Sequence, residues 1–199
     1  MNVILPQKVS VEQFLVWAEQ QSEGRYELVG GKVVMMAPER VGHVRAKGRV
    51  YTALTRAMAA AKIKGEVFTD GVGIRTGGDF LREPDASVQL GDAVDADVMI
   101  LDKPCIVVEV LSPSSISTDT VDKLEEYFSV LTIRHYLIVN NAKRSVTHHS
   151  RSHDASIKTV IFHDGTIDFL PFGFSVDHQQ RRVAEEQYAG EIHHAPDGA

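Results

Sequence analysis

The sequence predicts an α/β (α+β) domain: a mixed β-sheet flanked by helices, with an extra N-terminal helix and hairpin. Three observations carry this. Two apolar runs, IVVEVL at 106–111 and HYLIVNN at 135–141, have the length and composition of buried strands. Two segments, about 41–61 and 120–130, repeat apolar residues at helical spacing. Several short runs broken by glycine-bearing turns read as hairpin strands. Strands alternating with helices, plus flanking hairpins, imply a mixed sheet.

Each element has its own signal. Ser10 and Gln13 have capping-box spacing, so a first helix is expected from Val11 to about Gln21. RYELVGGKVVMMA reads as two strands joined at Gly30-Gly31, where the chain can take positive φ. From about Val41 to Ala61, Val50, Leu54 and Met58 recur every four residues. EVFTDGVGIRT reads as a strand or a bent strand pair, and Glu83-Pro84-Asp85 leads into a short strand, Ala86 to Leu90. The acidic stretch GDAVDADVMI reads as a surface loop or short helix. SPSSISTDT is a loop of Pro, Ser and Thr. It leads to a helix, about Thr120–Val130, on which Leu124, Tyr127, Phe128 and Leu131 form one stripe. Further strands are expected at 144–149 and 157–163, then a turn at Asp164-Gly165. The chain divides into a single domain, 1–175, and a polar tail, 176–199, expected to be partly helical and then disordered.

Composition narrows the functional classes. A chain of 199 residues suits one domain, and 43% hydrophobic residues supply a core for it. One cysteine, Cys105, excludes an internal disulfide and fits a reducing compartment; its place in an apolar strand makes it a small core residue. No segment reaches the roughly 20 apolar residues of a membrane span, and no signal peptide is evident, so a cytoplasmic location is expected. The net charge of -6 argues against broad coating of nucleic acid. A local basic face remains open: residues 40–64 carry Arg40, Arg45, Lys47, Arg49, Arg56, Lys62 and Lys64 with no Asp or Glu. His43, Arg45, Lys47 and Arg49 are the candidates for nucleic-acid contact.

The chemistry centres on Glu109, a carboxylate inside an apolar strand. Left unpaired it costs several kcal/mol, on the order of the polar-burial penalty. Alternation puts Val107, Glu109 and Leu111 on one face, with Glu109 two residues from the strand end, where ligands of open α/β sheets sit. Asp85, behind Pro84 at the mouth of a neighbouring strand, can converge with Glu109 on one divalent cation. Hard oxygen donors with room for water suit Mg²⁺ or Mn²⁺. Lys123, in the first turns of the next helix, can reach back over the sheet. Asp119 is placed to cap that helix or hold the lysine. His148, His149 and His153 do not make a zinc site: alternation separates the first two and no cysteine stands at ligand spacing. Ser112 and Ser114 in LSPS do not form a nucleophile elbow.

EPDASV, PCIVVEVLSPS and DTVDKLEEY, in that order, resemble the Uma-type restriction endonuclease family of the PD-(D/E)XK nuclease superfamily. YELVGGKVV and RHYLIVNNAKRSVTHH fit the same pattern, so the resemblance spans about residues 10–170. It implies a restriction-endonuclease-like core and a metal-dependent endonuclease acting on DNA. Asp85 and Glu109 match the motif acids, and the Val110 carbonyl is implied as a third metal ligand. The superfamily lysine two residues after the glutamate is replaced by Leu111; Lys123 matches its migrated position on the following helix. Glu27 matches a glutamate that extends the site. Two departures stand out: VNN at 139–141, where relatives carry an Asp-Pro turn, and SSIST at 114–118, where they carry arginines. The second removes positive charge near the site. It leaves open a protein of this fold that binds nucleic acid or protein with a weak or silent site. Cutters of this type pair to cleave two strands, and a homodimer is compatible with the sequence without being demanded by it.

Overall fold

A computed structural model describes residues 8–111 and 119–177. In chain order the elements are α1 (Val11–Ala18), β1 (Tyr26–Val29), β2 (Lys32–Met35), α2 (Val41–Ala60), β3 (Gly65–Thr69), β4 (Ile74–Gly77), β5 (Phe80–Arg82) and β6 (Ala86–Leu90). They continue as β7 (Pro104–Val110), α3 (Asp119–Ser129), β8 (His135–Asn140), β9 (Ser145–Arg151), β10 (Ile157–Phe162), β11 (Thr166–Phe169) and β12 (Phe174–Asp177). The SPSS loop (residues 112–118) and the tail from residue 178 lie outside the described residues, as does the side chain of Asp119. No helix among the described residues is long and apolar enough to cross a membrane.

The mixed sheet has six strands in the order β10-β9-β8-β7-β6-β3. β7 and β8, joined through α3, are its parallel pair; the other neighbours are antiparallel. One face packs α2 and the β11–β12 hairpin over Ile106, Val108 and Val110; the other packs α3 over Val107, Tyr136 and Ile138. A second sheet, β2-β1-β5-β4, carries α1 against Leu28 and Leu81. Ile106, Val107 and Val108 are essentially inaccessible. Each side chain contributes about 1.5–3 kcal/mol of burial, and this makes β7 the spine of the domain.

Most sequence expectations hold locally. Ser10 and Gln13 close the capping box in both directions, at 3.3 and 2.9 Å. α1 is shorter than expected, and isolated turn bonds from Gln20 and Gln21 carry the chain on from it. Gly30 and Gly31 take φ of 56° and 75° at the β1–β2 turn, where a side chain would be strained. Burial pushes the Cys105 thiol up to about 12, as befits a core residue.

Other expectations are corrected. EVFTDGVGIRT is two strands rather than one, and they part company: β3 edges the six-stranded sheet and β4 edges the four-stranded one. Leu131 does not join the α3 stripe. The helix ends at Ser129, Leu131 is 81% exposed, and Ile133 fills the core position instead. The β11–β12 hairpin packs as a lid of the core on the α2 side.

At the β8 start lies a buried imidazole pair that the histidine spacing did not reveal. His135 Nε2 lies 2.8 Å from the Leu170 carbonyl, which only accepts, so that nitrogen carries the proton. His135 Nδ1 then accepts from His148 Nε2 at 2.8 Å. Burial brings both imidazoles down to about 4, with His148 adding to the effect on His135 and His149 to that on His148. His149 turns to the opposite face, as alternation requires, and stacks on Tyr136.

Candidate active site

Asp85 sits where the chain passes from one sheet to the other. β5 ends at Arg82 in the four-stranded sheet, and β6 begins at Ala86 in the six-stranded one. The β6–β7 register pairs Ala86 with Val108; continued by one residue it sets Asp85 across from Glu109. Pro84, with no N–H to offer, suits the handover between the two ladders.

Glu109 faces α3. Its Oε1 accepts from the Tyr127 hydroxyl at 2.6 Å and lies 3.1 Å from Lys123 Nζ. Lys123 and Tyr127 are four residues apart, one helical turn, so α3 presents both to one oxygen. Burial lifts the Glu109 carboxyl above the ordinary range; Lys123 pulls it down and the negative Asp85 lifts it further. The Tyr127 hydroxyl is pushed well above its ordinary value by burial and by the Glu109 charge.

Asp85 faces α2. Its Oδ2 accepts the Val110 N–H at 2.6 Å, which ties it to the end of β7. Its Oδ1 lies 3.3 Å from His43 Nε2 and 3.7 Å from Lys47 Nζ. Lys47 also reaches Glu39 at 2.5 Å and Asp70 at 2.7 Å. Arg25 joins Glu39, Asp70 and Glu83. Burial works against the Lys47 ammonium, but Asp70 and Glu39 outweigh it and hold its pKa above the ordinary lysine value. Asp70 likewise resists burial through Lys47 and Arg25 and falls below the ordinary carboxylate range.

Glu27 belongs to a third layer. Its Oε1 accepts the Glu83 N–H at 2.9 Å, and its Oε2 pairs with Arg82 at 3.2 Å. Arg82 grips Glu126 of α3 with two bonds, 2.6 and 2.8 Å. Burial would lower the Arg82 pKa; Glu126 and Glu27 raise it instead. This chain of charges ties the four-stranded sheet to α3 beside Glu109.

The donors fit a divalent cation. Asp85 and Glu109 are hard oxygens from adjacent strands, and each already draws an ammonium. Among the described residues, one set of three side chains of ligand type brings its ligand atoms within 4.8 Å of one another: Glu39, His43 and Asp85. With this geometry in place, the family comparison is decisive: the Uma2 family, described as "Putative restriction endonuclease", matches residues 11–179.

The chain belongs to the Uma2 family. Among solved structures, it is similar to "a putative nuclease belonging to DUF820" from Anabaena variabilis, at 16% identity and a TM-score of 0.63. The match covers 83% of this chain and 91% of that one, and it supports the nuclease fold of the Uma2 domain. No curated protein matches the sequence.

Of the residues singled out from sequence, the Uma2 fold joins Asp85 to Val110 and Lys123 to Glu109 at the end of β7, with Glu27 attached through the Glu83 backbone. The basic helix divides. Arg45 is exposed, while Lys47 is 5% exposed and committed to carboxylates of its own chain. Arg49 is half-buried and its Nη2 lies 3.4 Å from Asn141 Oδ1. His43 faces Asp85. Sequence reasoning missed Glu39, Asp70, Arg25 and Arg82, and saw Tyr127 only as packing. The available signal was the turn between His43 and Lys47 on α2, with Glu39 just before the helix.

Proposed function

We propose that this Uma2-family chain is a divalent-metal-dependent endonuclease that hydrolyses phosphodiester bonds of DNA, with Mg²⁺ or Mn²⁺ as cofactor. The observation that carries it is the β6–β7 register, which continued by one residue sets Asp85 across from Glu109, with Lys123 delivered to Glu109 from α3. Asp85, Glu109 and the Val110 carbonyl are the metal-holding groups. When bound, the metal supplies charge neutralisation at the phosphate and a more acidic water. The Val110 N–H holds the Asp85 carboxylate in place, so little reorganisation is needed on loading. Tyr127 holds Glu109 aimed out of the apolar strand. Lys123 sits beside Glu109 as the ammonium that orients water or meets charge developing on the scissile phosphate. Glu27, with Arg82, sets the passage that carries Asp85. Exposed Arg45 and the basic face of α2 are the proposed route for DNA, and a homodimer would place two sites on two strands.

Plasmid and short-duplex cleavage with Mg²⁺ or Mn²⁺ tests this. Asp85→Ala and Glu109→Ala are each expected to lose at least about 100-fold, the scale of removing a charge-stabilising group. Cleavage unchanged in both variants overturns it. A second reading has one observation in its favour: both carboxylates are already met by ammoniums, from Lys47 and Lys123. On that reading the fold serves in nucleic-acid or protein binding with a silent site. Calorimetry showing no Mn²⁺ uptake at millimolar metal, together with no cleavage, selects it.

A further inference from the structure

The α2 side of the site holds more negative charge than its own cations neutralise. Glu39, Asp70, Glu83 and Asp85 are linked through Arg25 and Lys47, four carboxylates against two cations. Asp85 is buried, Asp70 and Glu83 are half-buried, and Glu39 stands at the exposed rim with its side chain 21% accessible. The same place holds an imidazole. Arg40 is the extended N-cap of α2, which folds Glu39 back beside His43 in the first turn. His43 Nε2 meets Asp85 Oδ1 at a long 3.3 Å, and its Nδ1 is buried with no hydrogen-bond partner among the described residues. The nitrogen turned toward the carboxylates, and so placed to ligate a cation beside them, is Nε2. Donors about 2.1 Å from a first-row ion stand roughly 3–4.2 Å apart. The three ligand atoms within 4.8 Å need to close only slightly.

We propose that Glu39, His43 and Asp85 form a mixed nitrogen–oxygen cation site. It takes a transition ion of the Mn²⁺ or Co²⁺ class in preference to Mg²⁺, and the Lys47 ammonium is the cation that ion displaces. Imidazole gives transition ions an advantage over Mg²⁺, which prefers oxygen donors and its own waters. Lys47 lies one turn beyond His43 on the same helix face and already meets Glu39 and Asp85. It occupies the charge position without supplying a ligand. The site shares Asp85 with the proposed nuclease centre and rests on that reading only there.

Pulsed electron paramagnetic resonance of the full chain loaded with Mn²⁺ tests the proposal. The expected result is coupling to a directly bound imidazole ¹⁴N, replaced by ¹⁵N coupling when the histidines are labelled. It is lost in His43→Gln and kept in Glu109→Gln. Mn²⁺ bound without nitrogen coupling in the unmodified protein overturns the proposal and leaves the oxygen-ligated nuclease centre standing; that spectrum decides even if a variant fails to fold. Coupling unchanged in His43→Gln also overturns it. Nitrogen coupling with no cleavage of any DNA supports this site while sinking the nuclease reading. Calorimetry adds an affinity test: Mn²⁺ is expected to bind at least about tenfold more tightly than Mg²⁺, and Lys47→Met to tighten Mn²⁺ further. Equal affinities for the two ions count against the imidazole ligand, and weaker Mn²⁺ binding in a folded Lys47→Met protein counts against displacement.

Discussion

The two ends of the central parallel pair bury ionisable groups in opposite ways. At the C-terminal end of β7, Glu109 and Asp85 are set against Lys123, Lys47 and a hydroxyl, so carboxylates meet ammoniums there. At the N-terminal end of β8, His135 and His148 bond to each other and to a carbonyl, and burial holds both neutral. A neutral pair asks only for matched donors and acceptors. A charged cluster costs desolvation that its partners must offset, and such clusters mark sites kept for chemistry. The first end is where function is expected; the second is a polar joint of the core.

Four measurements break or sharpen that contrast. The largest effect is expected from acid at the histidine end. Both folded imidazoles titrate near 4 and unfolded histidine near 6.5. Between those values the unfolded chain holds more protons, so stability falls as pH drops from about 6.5 and levels off near 4. The loss is roughly 3 kcal/mol per imidazole at most. Denaturant unfolding at several pH values measures it, and a His135→Phe, His148→Phe double variant should flatten that window.

Next comes Lys123→Met, which strands a buried carboxylate and should cost about 3–5 kcal/mol near neutral pH. Because the Glu109 carboxyl is already raised, the folded state holds its proton more tightly than the unfolded one. Its penalty therefore grows as pH rises out of the acid range, and the Lys123→Met deficit should shrink on acidification. A deficit independent of pH would mean that Glu109 is not the group left unpaired. Tyr127→Phe removes a donor to a charged acceptor, at about 1.5–3 kcal/mol by the same unfolding curves. The smallest is Asp85→Asn, about 1 kcal/mol. The amide oxygen can still accept the Val110 N–H, and Lys47 keeps Glu39 and Asp70. A larger loss there would show Asp85, rather than Lys47, to be the hub of the α2 network.

Much of this was legible in the sequence, for local reasons. Ser10 and Gln13, the Gly30-Gly31 turn, the Leu54–Met58 spacing of α2 and the strand Ala86–Leu90 depend on neighbours along the chain, and each appears where expected. Glu109 was conspicuous because nothing else interrupts the apolar run. Lys123 and Asp85 stood at spacings that alternation and helical period can place. Leu131 misled because the period continued past the end of α3. His135 was hidden because its partner, His148, is thirteen residues away on the next strand.

By itself the sequence determined the α/β class and the strand face of Glu109, because periods of two and 3.6 residues are properties of the backbone. Only the tertiary structure decided which cation meets which carboxylate. Glu39, Asp70 and Asp85 lie on three separate segments, and Lys47 lies on a helix whose sequence pattern suggested a DNA-facing charge. Turning that ammonium inward required β6 and the β3 end to converge on α2. Ion pairing follows distance in space, and distance between remote segments is fixed by packing alone.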